Sequence, residues 1–186
     1  MQVTTSAPTS SQFPAGLPGL FQRVADTRLA EGIVPWVARA SDALGDLGNE
    51  DSLLRGKGLG HPLHPALTDL PLGCWTSATI LDVIGFKASR PAATTLIAVG
   101  LVAAAPTAAA GLADFRATSG NDRRVASIHA VGNSAALACY VASLQSRIRG
   151  RHYRGVVAAL AGATLSAAAG YLGGHLVFGN DDASEG

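Results

Sequence analysis

The stretch Pro91–Ala113, "PAATTLIAVGLVAAAPTAAAGLA", runs for 23 residues without an Asp, Glu, Lys or Arg. A helix rising 1.5 Å per residue needs ~20 apolar residues to cross a hydrocarbon layer of ~30 Å, so this run is long enough to span a bilayer. Two further runs share the property: Val125–Ser146, 22 residues, and Gly155–Asn180, 26 residues. A helix on the surface of a soluble protein carries a charged stripe opposite its apolar one, and none of these three does. A fourth run, Ala66–Phe86, is also long enough, with Asp69 near its start and Asp82 near its end.

Composition agrees. The 186 residues suit one domain, with 48% hydrophobic and only 15% charged residues, against about 25% charged in a typical soluble domain. Mean hydropathy is +0.27. A formal net charge of +1 without a basic stripe argues against nucleic-acid binding, which needs clustered Lys and Arg to neutralise phosphates. Cys74 and Cys139 both fall inside apolar runs, at different distances from the run ends, and read as buried thiols. The N-terminal "MQVTTSAPTSSQFPAGLPG" has neither a basic nor an apolar signal region, so insertion is expected to be driven by internal spans.

The expected fold is all-α: an integral membrane four-helix bundle with spans at about 66–86, 91–113, 125–146 and 155–178, preceded by an amphipathic N-terminal segment. Runs such as "AALAGATLSAAAGYLGGHL" are rich in Ala and Gly, which let membrane helices approach closely. The connections "KASR", "DFRATSGNDRR" and "RIRGRHYR" are short, making sequential spans antiparallel neighbours. Both chain ends and the second connection then share one side, face A. Three divisions follow: a tail over 1–52, a membrane domain over 53–180 and a polar tail over 181–186. Residues 1 to about 19, rich in Ser, Thr, Pro and Gly, read as unstructured. Residues 20–47 read as one or two short amphipathic helices interrupted by Pro35 and lying in the interface, with Trp36 as anchor, the alternative being a flexible tail. Six Lys and Arg flank the spans on face B against five on face A. The positive-inside rule, on a margin of one, puts face B in the cytoplasm and both ends outside.

Four of the five histidines belong to face A. His61 and His64 precede the first span in "HPLHP", His129 enters the third and His175 leaves the fourth, the last two at similar depth. A residue before proline is pushed away from helical geometry, so His61 and His64 are expected to be extended, with Pro65 opening the helix. Polar residues inside the spans form stripes that should face inward: His129, Asn133, Tyr140 and Ser143; Tyr171 and His175; Thr107, Gly111 and Asp114.

Imidazole is the commonest protein metal ligand, and His with Asp suits zinc, copper or iron. His129 and His175 are therefore candidate axial ligands of haem b, with Asn133 and Tyr171 beside them. His61, His64, His129, His175 and Asp69 are candidate ligands of a transition metal ion. Each also has a structural reading: interfacial or hydrogen-bonded histidines, Asp69 and Asp114 as helix caps or partners of Arg116 and Arg124, Asp82 against the arginine-rich connection, Tyr140 as interhelical glue. Neither a catalytic constellation nor a phosphate loop is present.

The segments "GKGLGHPLHPALTDLPLGCWTSATILD", "AAPTAAAGLADF", "RRVASIHAVGNSAALACYVAS" and "AAAGYLGGHLVFGN" resemble the bacterial four-span family known as domain of unknown function 2231, over about Leu53–Asn180. The resemblance implies the bacterial inner membrane, but no established activity. Some members of that family continue into a Rieske-type iron-sulfur domain, which implies a redox setting; "DDASEG" offers no cluster ligand, so an iron-sulfur or other redox partner would be a separate protein. The leading expectation is a non-enzymatic redox module in contact with the lipid bilayer, self-association being a further candidate. Its rival is a membrane anchor or scaffold whose polar stripes only hold helices together. A proton or small-solute path comes third, since no internal repeat or pair of broken helices is apparent.

Overall fold

Each apolar run of the sequence becomes a helix. The computed structural model describes residues 23, 25–49, 52–61 and 63–178, without the side chains of His175, Val177 and Phe178. The helices are α1 (Arg28–Asp42), α2 (Leu63–Ile84), α3 (Arg90–Phe115), α4 (Gly120–Ile148) and α5 (His152–Phe178), and there is no strand among the described residues. The expected unstructured run over residues 1–19 and the polar tail over 181–186 lie outside the described residues.

Among the described residues three segments are long and apolar enough to cross a membrane: Lys87–Phe115, Gly120–Ile148 and His152–Gly174, with mean hydropathies of 2.0, 1.3 and 1.6. Helix α2 has 22 residues, about 33 Å at 1.5 Å per residue, and its two carboxylates lower its hydropathy. Large apolar side chains nevertheless point outward on α2 as on the others: Val83 and Val102 are each 76% exposed. Such an exterior suits hydrocarbon and not water.

α2 packs mainly on α3, and α4 on α5, so the chain forms two helical hairpins. Small residues make the close approaches: Ala78, Ala93, Ala104 and Ala159 are buried in the core with Ile97, Trp75 and Tyr140. Trp75 of α2 and Tyr140 of α4 stack with ring centres 3.9 Å apart and planes 14° apart. Each ring lies over a glycine. A Cβ on Gly100 would stand 2.3 Å from Trp75 Nε1, and one on Gly162 3.0 Å from Tyr140 Cε2.

α1 continues through Pro35, where an interruption was expected, and Arg23 and Ala25 before it are also helical, beyond a turn at Asp26. The Thr27 hydroxyl caps it by accepting from the Ala30 amide at 3.2 Å. Its buried face, Ala30, Val37 and Ser41, rests on α3 and α4. Ser41 Oγ donates to Leu112 O at 2.6 Å, and Arg116 donates back to Ser41 O at 2.9 Å and Gly45 O at 3.0 Å. Arg124 pairs with Glu31 at 3.1 Å. These bonds hold α1 across the face-A ends of α3 and α4, with Trp36 69% exposed on its far side.

Candidate functional site

The HPLHP segment does not stay extended up to Pro65. Helix α2 starts at Leu63, which puts His64 inside its first turn. The first four amides of a helix have no intrahelical partner, so Pro65 sacrifices no hydrogen bond there, and proline is tolerated despite its effect on the preceding residue. The shift separates the two histidines. His61 remains exposed outside the helix, whereas His64 turns toward α3.

There His64 Nδ1 lies 2.9 Å from Thr107 O. On the other hairpin His129 Nδ1 lies 2.7 Å from Ala169 O. A carbonyl can only accept, so both Nδ1 atoms carry the proton and donate. In the neutral rings each Nε2 then bears a lone pair. This is the arrangement by which second-shell carbonyls orient metal-ligating imidazoles and fix their tautomer.

Glycines admit both rings. A Cβ on Gly111 would stand 2.9 Å from His64 Cε1, and one on Gly173 2.7 Å from His129 Cε1. The two rings meet each other across the bundle, centres 6.2 Å apart and planes at 89°. Asn133 Nδ2 donates to His129 O at 3.1 Å, and also lies 3.1 Å from Nε2 and 3.4 Å from Nδ1 of the same ring. An amide on the in-plane Nε2 lone pair would stand far from Nδ1, on the opposite side of the ring. Contact with both nitrogens therefore places Asn133 over the ring face, and the lone pair stays free.

The expected stripe on α3 faces this pair. Thr107 supplies the carbonyl, Gly111 the flat floor, and Asp114 lies within electrostatic range of His64 and Arg55. The α4 stripe is buried as expected, with Tyr140 and Ser143 at 1% and 0% exposure. The α5 stripe differs, for Tyr171 is 42% exposed. Asp69 is exposed on α2, and the His175 side chain lies outside the described residues. Among the described residues no group of three or more His, Cys, Asp or Glu is arranged to hold a metal ion. Of the residues singled out in the sequence, the structure thus brings together His64, His129 and Asn133. Among the described residues the imidazole that meets His129 is His64, which the sequence had set in an extended lead-in before the first span.

At the other end of α2 and α4, Asp82 and Arg147 form an ion pair with side chains 3% and 1% exposed. The guanidinium is bidentate, with Arg147 Nη1 donating to Asp82 Oδ1 at 3.0 Å and Nη2 to Oδ2. Arg147 Nε donates to Ser143 Oγ at 3.1 Å, and Ser143 Oγ to Gly155 O at 2.7 Å. Sequence reading set Asp82 against the arginine-rich connection "RIRGRHYR"; its partner is Arg147, the first residue of that stretch, which belongs to the last turn of α4.

With this geometry in place, comparison supplies the family. Residues 60–181 match the predicted membrane proteins of domain of unknown function 2231. The chain belongs to that family. No curated protein and no solved structure matches it. Family membership and the apolar helices together make this a membrane protein, in contact with the lipid bilayer.

Proposed function

We propose that this family member is a four-span, non-enzymatic module of the bacterial inner membrane, with α2 as the fourth span and α1 lying in the interface of the outer face. Its functional site is the His64–His129 pair, which holds one transition-metal cation, bare or at the centre of a haem. The observation that carries this reading is the locked tautomer of both rings: each Nδ1–H is on a backbone carbonyl, and each Nε2 lone pair is left over. Both imidazoles are half-buried and each is held in one tautomer by a backbone carbonyl, as metal-ligating imidazoles are.

Spacing narrows the occupant. Two imidazoles sharing a metal in trans have ring centres about 6 Å apart, since each metal–nitrogen bond is about 2.0 Å and each ring centre lies about 1 Å beyond its nitrogen. The observed 6.2 Å agrees with this. A proton shared directly between the nitrogens would draw the rings closer. Asn133, over the face of His129, positions that ring. A membrane-bound or soluble redox protein would then exchange electrons with the bound metal.

The test is the detergent-purified protein. A Soret band, or one copper, iron or zinc per chain by elemental analysis, lost in His129→Ala, supports the reading. A colourless, metal-free protein that also fails to bind added hemin, copper or zinc overturns it. In that case a water donating one hydrogen to each Nε2 fills the same gap, and the module is a scaffold.

A further inference from the structure

The residues that meet across the bundle stand in one arithmetic relation. His129 follows His64 by 65 positions; so does Tyr140 follow Trp75, and Arg147 Asp82. These are the three pairs that touch: the perpendicular imidazoles, the stacked aromatics and the buried ion pair. The same step relates the two cysteines, Cys74 and Cys139, and two residues that donate to the carbonyl four positions back, Thr68 and Asn133. It also relates Gly85 and Gly150, which follow α2 and α4 in left-handed geometry with φ of 78° and 72°. That conformation suits glycine at a helix C-terminus.

The second helix of each hairpin repeats with a step of 62, the connection being three residues shorter. Helix α3 begins at Arg90 and α5 at His152. Gly100 lies under Trp75 and Gly162 under Tyr140; Gly111 lies against His64 and Gly173 against His129; Thr107 O and Ala169 O accept from the two Nδ1 atoms. Matching lengths alone would not align glycines, carbonyl acceptors and buried positions at once. The sequence conceals the repeat because the paired residues differ in kind: Asp opposite Arg, Trp opposite Tyr.

From this we infer that the chain is a fused pair of equivalent helical hairpins, related by a two-fold axis along the membrane normal between α2 and α4, and that the His64–His129 site lies on that axis, taking one equivalent donor from each half. Parallel repeats of this kind share a normal-directed axis, because α2 and α4 run in the same direction. The inference rests on the metal reading for its ligand. The occupant would be a single cationic centre held by one neutral nitrogen donor from each half. The positions equivalent to His61, Asp69 and Tyr171 are Ala126, Ser134 and Ala109, so a centre fed by like donors from both halves takes none of the three.

Two measurements on the full-length protein in detergent test it. Titration with hemin, copper and zinc salts should give one centre per chain, lost alike in His64→Ala and His129→Ala and kept in His61→Ala and Asp69→Asn. Loss in one of the two former variants and retention in the other overturns the inference while leaving a metal site. Exchange of the axial aromatics, Trp75→Tyr with Tyr140→Trp, places each ring over the equivalent glycine. The double variant should unfold within a few degrees of wild type and above both single variants. A double variant less stable than either single one overturns the two-fold relation. Should the wild type bind none of the three, the metal reading fails, and the exchange alone decides whether the hairpins are equivalent.

Discussion

The seam between α2 and α4 ends differently on the two faces. At the Asp82 end the buried charges are paired inside the fold: the carboxylate takes the guanidinium, the guanidinium takes Ser143, and Ser143 takes Gly155 O. At the His64 end the donors are satisfied and two acceptor lone pairs are left. Eighteen residues separate His64 from Asp82, about 27 Å along a helix, so the two ends sit near opposite surfaces of a ~30 Å hydrocarbon layer. A closed network holds structure, whereas imidazole lone pairs suit a ligand. On the proposed reading, position along one seam thus separates the part that fastens the hairpins from the part that binds.

Breaking the closed end should have the largest effect. Asp82→Asn leaves the Arg147 charge buried without its partner, and a loss of about 3–5 kcal/mol is expected in thermal or denaturant unfolding in detergent. The apolar double variant Asp82→Leu with Arg147→Leu should recover much of that loss; a double variant worse than both singles would refute the account. Midway along the seam, Gly100→Ala drives a Cβ to 2.3 Å from Trp75 Nε1, an overpacking expected to destabilise by about 1–3 kcal/mol. Gly162→Ala, with its nearest contact at 3.0 Å, should lower the melting temperature less.

At the open end function and stability should part company. His64→Ala gives up one neutral hydrogen bond, about 1 kcal/mol, yet should abolish binding of the metal or haem. Acidification should release the same ligand, because protons compete for Nε2; binding measured across a pH series would reveal this, and occupancy unchanged by acid would contradict it. The smallest effect belongs to Asp69→Asn, an exposed side chain, expected to alter stability by no more than about 0.5 kcal/mol.

The helices were legible because hydrocarbon imposes so strong a rule: a run free of charge and long enough to span can hardly be anything else, and Pro91–Ala113 and the described part of the last run, 155–178, both became helix. Inward stripes at helical spacing were legible for the same reason, as with His129, Asn133 and Tyr140. Tyr171 belonged to such a stripe by spacing yet is partly exposed, since periodicity fixes which residues share a face and not which way that face turns. That His64 meets His129 was not legible, because it depended on where α2 begins, and the proline rule pointed two residues too late. Nor was the role of Gly173 beside an imidazole of another helix, which only packing reveals. A spacing signal did exist for the pairing: "H" followed ten positions later by "CW" in one place and "CY" in another. It gains force only once the rings are seen to touch.

The ion pair has an electrical corollary. Carrying one elementary charge through the full potential of an energised membrane involves ~2.3 kcal/mol per 100 mV. Asp82 and Arg147 sit at one depth with opposite signs, so a voltage does almost no net work on them, and the fastening stays indifferent to the energetic state of the cell. A cation seated between two neutral imidazoles has no such counterweight. Its occupancy would respond to the voltage that the locked end ignores.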